Sequence, residues 1–171
     1  MHSNGVIEFS EAQTAELTSI VAAVQQADAA LAAAEAARVR ALARAGELAR
    51  ELAAGKPSRV REHDMALRSI AATIGVPTRV SDRSMQRQIG DAERLAERYP
   101  GTLEARAQGE ITRQHVYAIQ DAAADLPDEV IPAFEAEALE RCRRDTVGRV
   151  KAELEILAQR MHPRSFVERH A

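Results

Sequence analysis

An all-α protein is predicted, with a long N-terminal helix followed by a compact multi-helix bundle, and three observations predict it. Alanine fills 35 of the 171 positions, aromatic residues only five, and tryptophan none. Such a mixture favours helices packed closely through small side chains over sheets, which draw on aromatic and β-branched residues. Apolar residues recur at three-four spacing through most of the chain, and Gly, Pro, Ser, Thr and Asp sit at the ends of the periodic stretches.

The first helix is signalled by Ser10 and Gln13, a capping box that satisfies two N–H groups at a helix start. Nothing but Gly46 interrupts it before Ala54, and Gly55 and Pro57 then stop it. Leu17, Ile20, Val24, Ala27, Leu31 and Ala34 follow a heptad, and after an eleven-residue step the seam resumes at Leu42, Ala45, Ala49 and Leu52. A helix of that length is expected either to pair with a second copy as a coiled coil or to bend back at Gly46. Residues 1–55 therefore read as an alanine-rich helical arm and residues 58–171 as a helical domain, with the boundary at 55–58.

The second helix is predicted over 59–74, capped by Ser58 and ended by Gly75, with Val60, His63, Leu67, Ile70, Ala71 and Ile74 inward. Pro77 predicts an extended turn. Ser81 or Asp82 starts a third helix with Met85, Ile89, Ala92, Ala96 and Tyr99 as its buried stripe. A short helix over 103–108 ends at Gly109. Thr112 caps the next, with Val116, Ile119, Ala123 and Leu126 inward. Pro127-Asp128 opens a helix carrying Ile131, Phe134, Ala138 and Cys142, and Asp145 opens a last one with Val147, Val150, Leu154, Leu157 and Met161. Ser165 and Glu168 form a further start signal with nothing behind it, which predicts that the sequence is the front part of something longer.

Residues 71–89 carry the one local pattern with a mechanism. Ala71, Gly75, Met85 and Ile89 supply the small residue, turn and apolar anchors of a helix-turn-helix-like unit, although the expected turn is about four residues longer than usual. On the third helix Arg83, Arg87, Arg94 and Arg98 project opposite the apolar stripe, with Gln86 at the edge of the arc. Guanidinium groups on an exposed helix face suit phosphate contact and guanine readout, so these five residues are the candidate contacts to double-stranded DNA. The competing reading is a solvated face paired with Glu93 and Glu97. The net charge of −3 requires any such affinity to be local. No aromatic stacking platform is evident, which disfavours recognition of single strands.

No catalytic, cofactor-binding or metal-binding residue is predicted. The five histidines lack ligand spacing, and His63-Asp64 has no further spaced ligands. His63 reads as a core histidine and His115 as a helix-edge packing residue. Cys142, the single cysteine, reads as a buried inert thiol. With no run of about 18 apolar residues and no signal pattern in residues 1–10, the expectation is a cytoplasmic protein with no membrane contact.

Arg61-Glu62 through Ala72, followed by Ser81-Asp82-Arg83-Ser84-Met85-Gln86-Arg87-Gln88-Ile89-Gly90-Asp91-Ala92, resembles the actinobacterial 13E12-repeat family, domain-of-unknown-function family 222. The segments Tyr99-Pro100-Gly101-Thr102-Leu103, Gly109-Glu110-Ile111-Thr112-Arg113-Gln114-His115 and His162-Pro163-Arg164-Ser165 with Glu168-Arg169-His170 resemble it too. The resemblance covers about residues 59–171. It implies a helical region that precedes an HNH endonuclease domain, hence a DNA-directed module. The nuclease's metal-binding histidines and asparagine have no counterparts in this sequence, so no catalytic residue carries over. The alternative expectation is a protein–protein or dimerisation module acting through the N-terminal helix.

Overall fold

The computed structural model describes residues 9–163, which form seven helices and, among the described residues, no strand: α1 (Glu11–Ala53), α2 (Arg59–Thr78), α3 (Asp82–Arg98), α4 (Pro100–Ala107), α5 (Arg113–Ala122), α6 (Ile131–Cys142) and α7 (Val147–Met161). The start signal at Ser165 and Glu168 lies outside the described residues.

The predicted capping box starts α1: the Gln13 N–H donates to Ser10 Oγ and the Ser10 N–H to Gln13 Oε1. At about 1.5 Å per residue the helix is about 65 Å long, and it runs unbroken through Gly46 and does not fold back there. That glycine is instead a point of close approach, because a Cβ there would overlap the Glu93 carboxylate of α3. The two halves of α1 have different surroundings. Residues 11–31 are exposed throughout, with Ala29 beside Gly109, whereas Ala32, Ala36, Leu42, Ala43, Gly46, Ala49 and Ala53 are buried. The expected seam through Ala45 and Leu52 is thus displaced onto smaller residues, which let α2 and α3 come close. The division expected at 55–58 falls inside this packing, since the second half of α1 belongs to the bundle.

Helix α2 runs four residues further than expected. It passes through Gly75 and Pro77 and ends at Arg79 in the left-handed region, φ 57°. Its last carbonyls are satisfied locally, which allows the extension. Thr78 Oγ1 donates to Ile74 O and Gly75 O, and the Val80 N–H donates to Gly75 O. Only Arg79, Val80 and Ser81 then link α2 to α3, a tight turn in place of the long one expected. Gly75 makes the reversal possible, because a Cβ there would sit 2.5 Å from Val80 O. Val60, placed inward by periodicity, is exposed beyond the α1–α2 contact.

The core has two parts. Leu42, Ala43, Ala71, Met85, Ile89 and Ala92 join α1, α2 and α3, with Leu67, Ile70 and Ile74 against them. A larger cluster, including Tyr99, Ile119, Phe134, Val150 and Leu154, joins the end of α3 to α4–α7. Two polar residues tie this second part together. Glu135 of α6 is buried and accepts the Thr102 N–H at 2.6 Å, capping α4 from another helix. His115 is also buried. Its Nδ1 accepts the Thr112 N–H at 3.1 Å, so Nε2 carries the proton and donates to Asp145 O at 3.0 Å. Two expected caps shift: Thr146, not Asp145, precedes α7, and α6 begins at Ile131, which leaves Asp128 free to pair elsewhere.

Candidate nucleic-acid interface

The three-helix unit α1–α2–α3 presents α3 as the second helix of a tightly turned pair. Ser81 caps it, accepting the Ser84 N–H, and Met85, Ile89 and Ala92 hold it against the core. That anchoring fixes the direction of its outer face. Arg83 and Arg87, one turn apart, are exposed on this face and make no hydrogen bond or ion pair among the described residues. Gly90 follows one turn later with open space where a side chain would stand. Mid-helix glycine costs roughly 0.5–1 kcal/mol relative to alanine, and no packing requirement explains it here. Arg79, exposed at the turn, extends the basic surface toward α2, and two exposed acids, Asp82 and Asp91, share α3 with these groups. Gln86 is partly buried beside them.

The remaining two candidates separate from this pair. Arg94 pairs loosely with Asp91, 3.4 Å, and both stay mostly exposed. Arg98 is two-thirds covered, and its Nη2 donates to Asp128 at 2.6 Å. The five candidates therefore do not form one free face: Arg83 and Arg87 are unpaired, while Arg94 and Arg98 turn to a cleft between α1, α3, α4 and α5. The expected competitors, Glu93 and Glu97, pair with Arg50 of α1 and not with the α3 arginines.

The cleft also receives Arg38, Arg106, Arg113 and Tyr117, none of which stood out in the sequence. The Arg113–Tyr117 spacing of four was the available signal, since it places the two on one helix face. The Arg113 Nε donates to Tyr117 Oη at 2.8 Å, and this hydrogen bond holds the guanidinium above its ordinary range.

Burial pushes the Cys142 thiol up to about 11, so it is protonated at neutral pH. His63 is partly buried in the α1–α2 groove beside Arg50 and Arg59. Among the described residues no three His, Cys, Asp or Glu side chains are grouped to hold a metal ion. Helix α1 is long and apolar enough to cross a membrane by length and composition, although no uninterrupted apolar run of that length occurs in it.

The sequence model of a family described as a domain of unknown function, DUF222, matches residues 28–164. The chain belongs to this family. The match begins where α1 meets the bundle, so the DUF222 unit comprises the second half of α1 together with α2–α7, and the free half of α1 precedes it. No curated protein matches the chain, and no solved structure does.

Proposed function

We propose that this DUF222 chain is a non-catalytic, cytoplasmic DNA-interaction module whose α2–α3 unit meets duplex DNA, acting alongside an HNH endonuclease domain as its resemblance implies. The observation that carries the reading is the pair Arg83 and Arg87, exposed and without a partner among the described residues, on the opening turns of α3 after a three-residue turn, with Gly90 baring the next turn. A helix entering a groove needs cations that are not already neutralised and a surface that lets the backbone come close. Both conditions hold on this face, whereas Arg94 and Arg98 are partly committed.

The test is retention of the full chain on a duplex as salt is raised. Affinity is expected to fall linearly on a log–log scale, and Arg83→Ala and Arg87→Ala each to reduce the slope by about 1. Arg144→Ala, at an exposed residue on the α6–α7 side, is expected to leave the slope unchanged. Absence of retention, or a slope insensitive to Arg83 and Arg87, overturns the reading.

A second reading, compatible with the first, concerns self-association. Leu17, Ile20, Val21, Val24 and Leu31 are exposed large apolar residues at heptad spacing on the free half of α1. Thr18, Gln25, Gln26 and Asp28 interrupt the stripe, which suits a second helix better than lipid. The occupant proposed is the same segment of another copy.

A further inference from the structure

The cleft between α1, α3, α4 and α5 has a volume of about 900 Å³, within the range of roughly 300–1,000 Å³ common to small-molecule sites. Its walls include Val39, Leu42, Leu95, Leu103 and Val116, and five arginines share it with three carboxylates, Glu35, Asp91 and Asp121. The arginines are not equivalent. Arg106 is used up structurally: its Nε and Nη2 donate to Glu35 and its Nη1 to Ile111 O. Glu35 is thereby neutralised. Among the described residues Arg38 meets a neutral acceptor, Gln88 Oε1 at 2.5 Å, and makes no carboxylate ion pair. Arg94 has a loose, exposed partner. Arg98 gives Nη2 to Asp128, and its Nε is buried with no hydrogen-bond partner among the described residues, which leaves its remaining N–H groups at the cleft. On the α5 side, Tyr117 is half exposed, with the Arg113 guanidinium 5.6 Å from its ring centroid. A tyrosine–arginine pair offers a flat surface on which a base can stack.

Apolar walls, undercompensated arginines and one exposed aromatic ring describe a site for an amphipathic anion with a planar group. We propose that the cleft binds a single nucleotide, its phosphate at Arg94 and Arg98 and its base against Tyr117 and Arg113. The same chemistry is offered by a free nucleotide and by an unpaired nucleotide of a DNA strand. Arg83, Arg87, Arg94 and Arg98 lie along the same helix, α3. Nucleotide binding itself does not depend on duplex binding.

Calorimetry of the full chain with dAMP, deoxyadenosine and inorganic phosphate tests the proposal. The nucleotide is expected to bind at least about tenfold more tightly than either part, and Arg94→Ala and Tyr117→Ala each to weaken it by about tenfold. Both side chains are at least half exposed, and an unchanged Tm serves as the folding control. A duplex with an unpaired end bound more tightly than a blunt one, with the preference lost in the same variants, identifies a strand as the source. Equal binding of the two duplexes, with dAMP still bound, identifies the free nucleotide. The proposal is overturned if dAMP does not bind, binds no better than phosphate, or is indifferent to both variants. Blunt-duplex retention that depends on Arg83 and Arg87 would survive that failure, which keeps the two readings separable.

Discussion

Glu93 is a carboxylate whose charge is disfavoured by its surroundings. Burial against Gly46 raises its pKa above the ordinary 4.5, only partly opposed by Arg50. Its Oε1 is buried without a hydrogen bond, although Arg50 Nη2 lies 3.3 Å away as an ion-pair partner. Between the ordinary and the raised value the folded chain binds more protons than the unfolded one, so stability falls as pH rises through that window and stays lower above it. Glu93→Gln removes the charge and keeps the shape, and Arg50 retains Glu97 at 2.9 Å. The variant is expected to melt at or above the wild-type temperature at pH 7, with the difference vanishing below the window, where both chains are uncharged at this position. Thermal melts at the two pH values decide it: a lower Tm for Glu93→Gln at pH 7 would show that the Arg50 pairing outweighs desolvation.

The α2–α3 unit turns on two glycines with opposite roles. Gly75→Ala places a Cβ 2.5 Å from a backbone carbonyl that cannot move without opening the turn. It is expected to lose roughly 1–3 kcal/mol despite alanine's better helix propensity. Gly90→Ala meets open space and is expected to gain about 0.5–1 kcal/mol while weakening duplex retention if the bare turn serves close approach. Urea midpoints of the two variants measure both signs, and a stabilised Gly75→Ala would mean that Val80 yields. Much of this unit is legible from periodicity: Met85, Ile89 and Ala92 are read as inward and are buried. The tight turn is not, because Pro77 reads as a stop while the acceptors that let α2 continue past it depend on the Thr78 hydroxyl and the left-handed Arg79. The division among the α3 arginines is hidden for another reason. The partner that takes Arg98 is Asp128, thirty residues away, and the cleft that Arg94 and Arg98 border needs α1 and α5 in place. Helix periodicity reports which residues face outward on one element, not what a distant element brings to them.

At the scale of the whole molecule, the position along α1 where packing begins separates folding from association. Removing residues 1–27 takes away helical turns 11–27, which are exposed throughout, and leaves the stretch matched by the DUF222 family. That chain is expected to melt within a few degrees of the full one, since the buried stripe from Ala32 onward is intact. Removing residues 1–55 instead strips Leu42 and Ala43 from the cluster around Ala71, Met85 and Ile89, and with them the cover over α3. Loss of core side chains the size of leucine costs about 2–5 kcal/mol each, a large part of the roughly 5–15 kcal/mol that holds a domain, so the shorter chain is expected to lose cooperative unfolding. Self-association follows the other half of the helix. Phe9, Glu11, Glu16 and Asp28 accompany the exposed stripe, and no lysine or arginine occurs between Phe9 and Ala37. Two such acidic segments repel at low ionic strength, so pairing through the stripe is expected to strengthen as salt screens them, the reverse of the salt response expected for DNA. Sedimentation of the full chain and of the chain lacking residues 1–27 is therefore expected to show a dimer that grows with salt only in the former. A monomer in both, at every salt concentration, would remove self-association while leaving the α3 surface and its duplex test untouched.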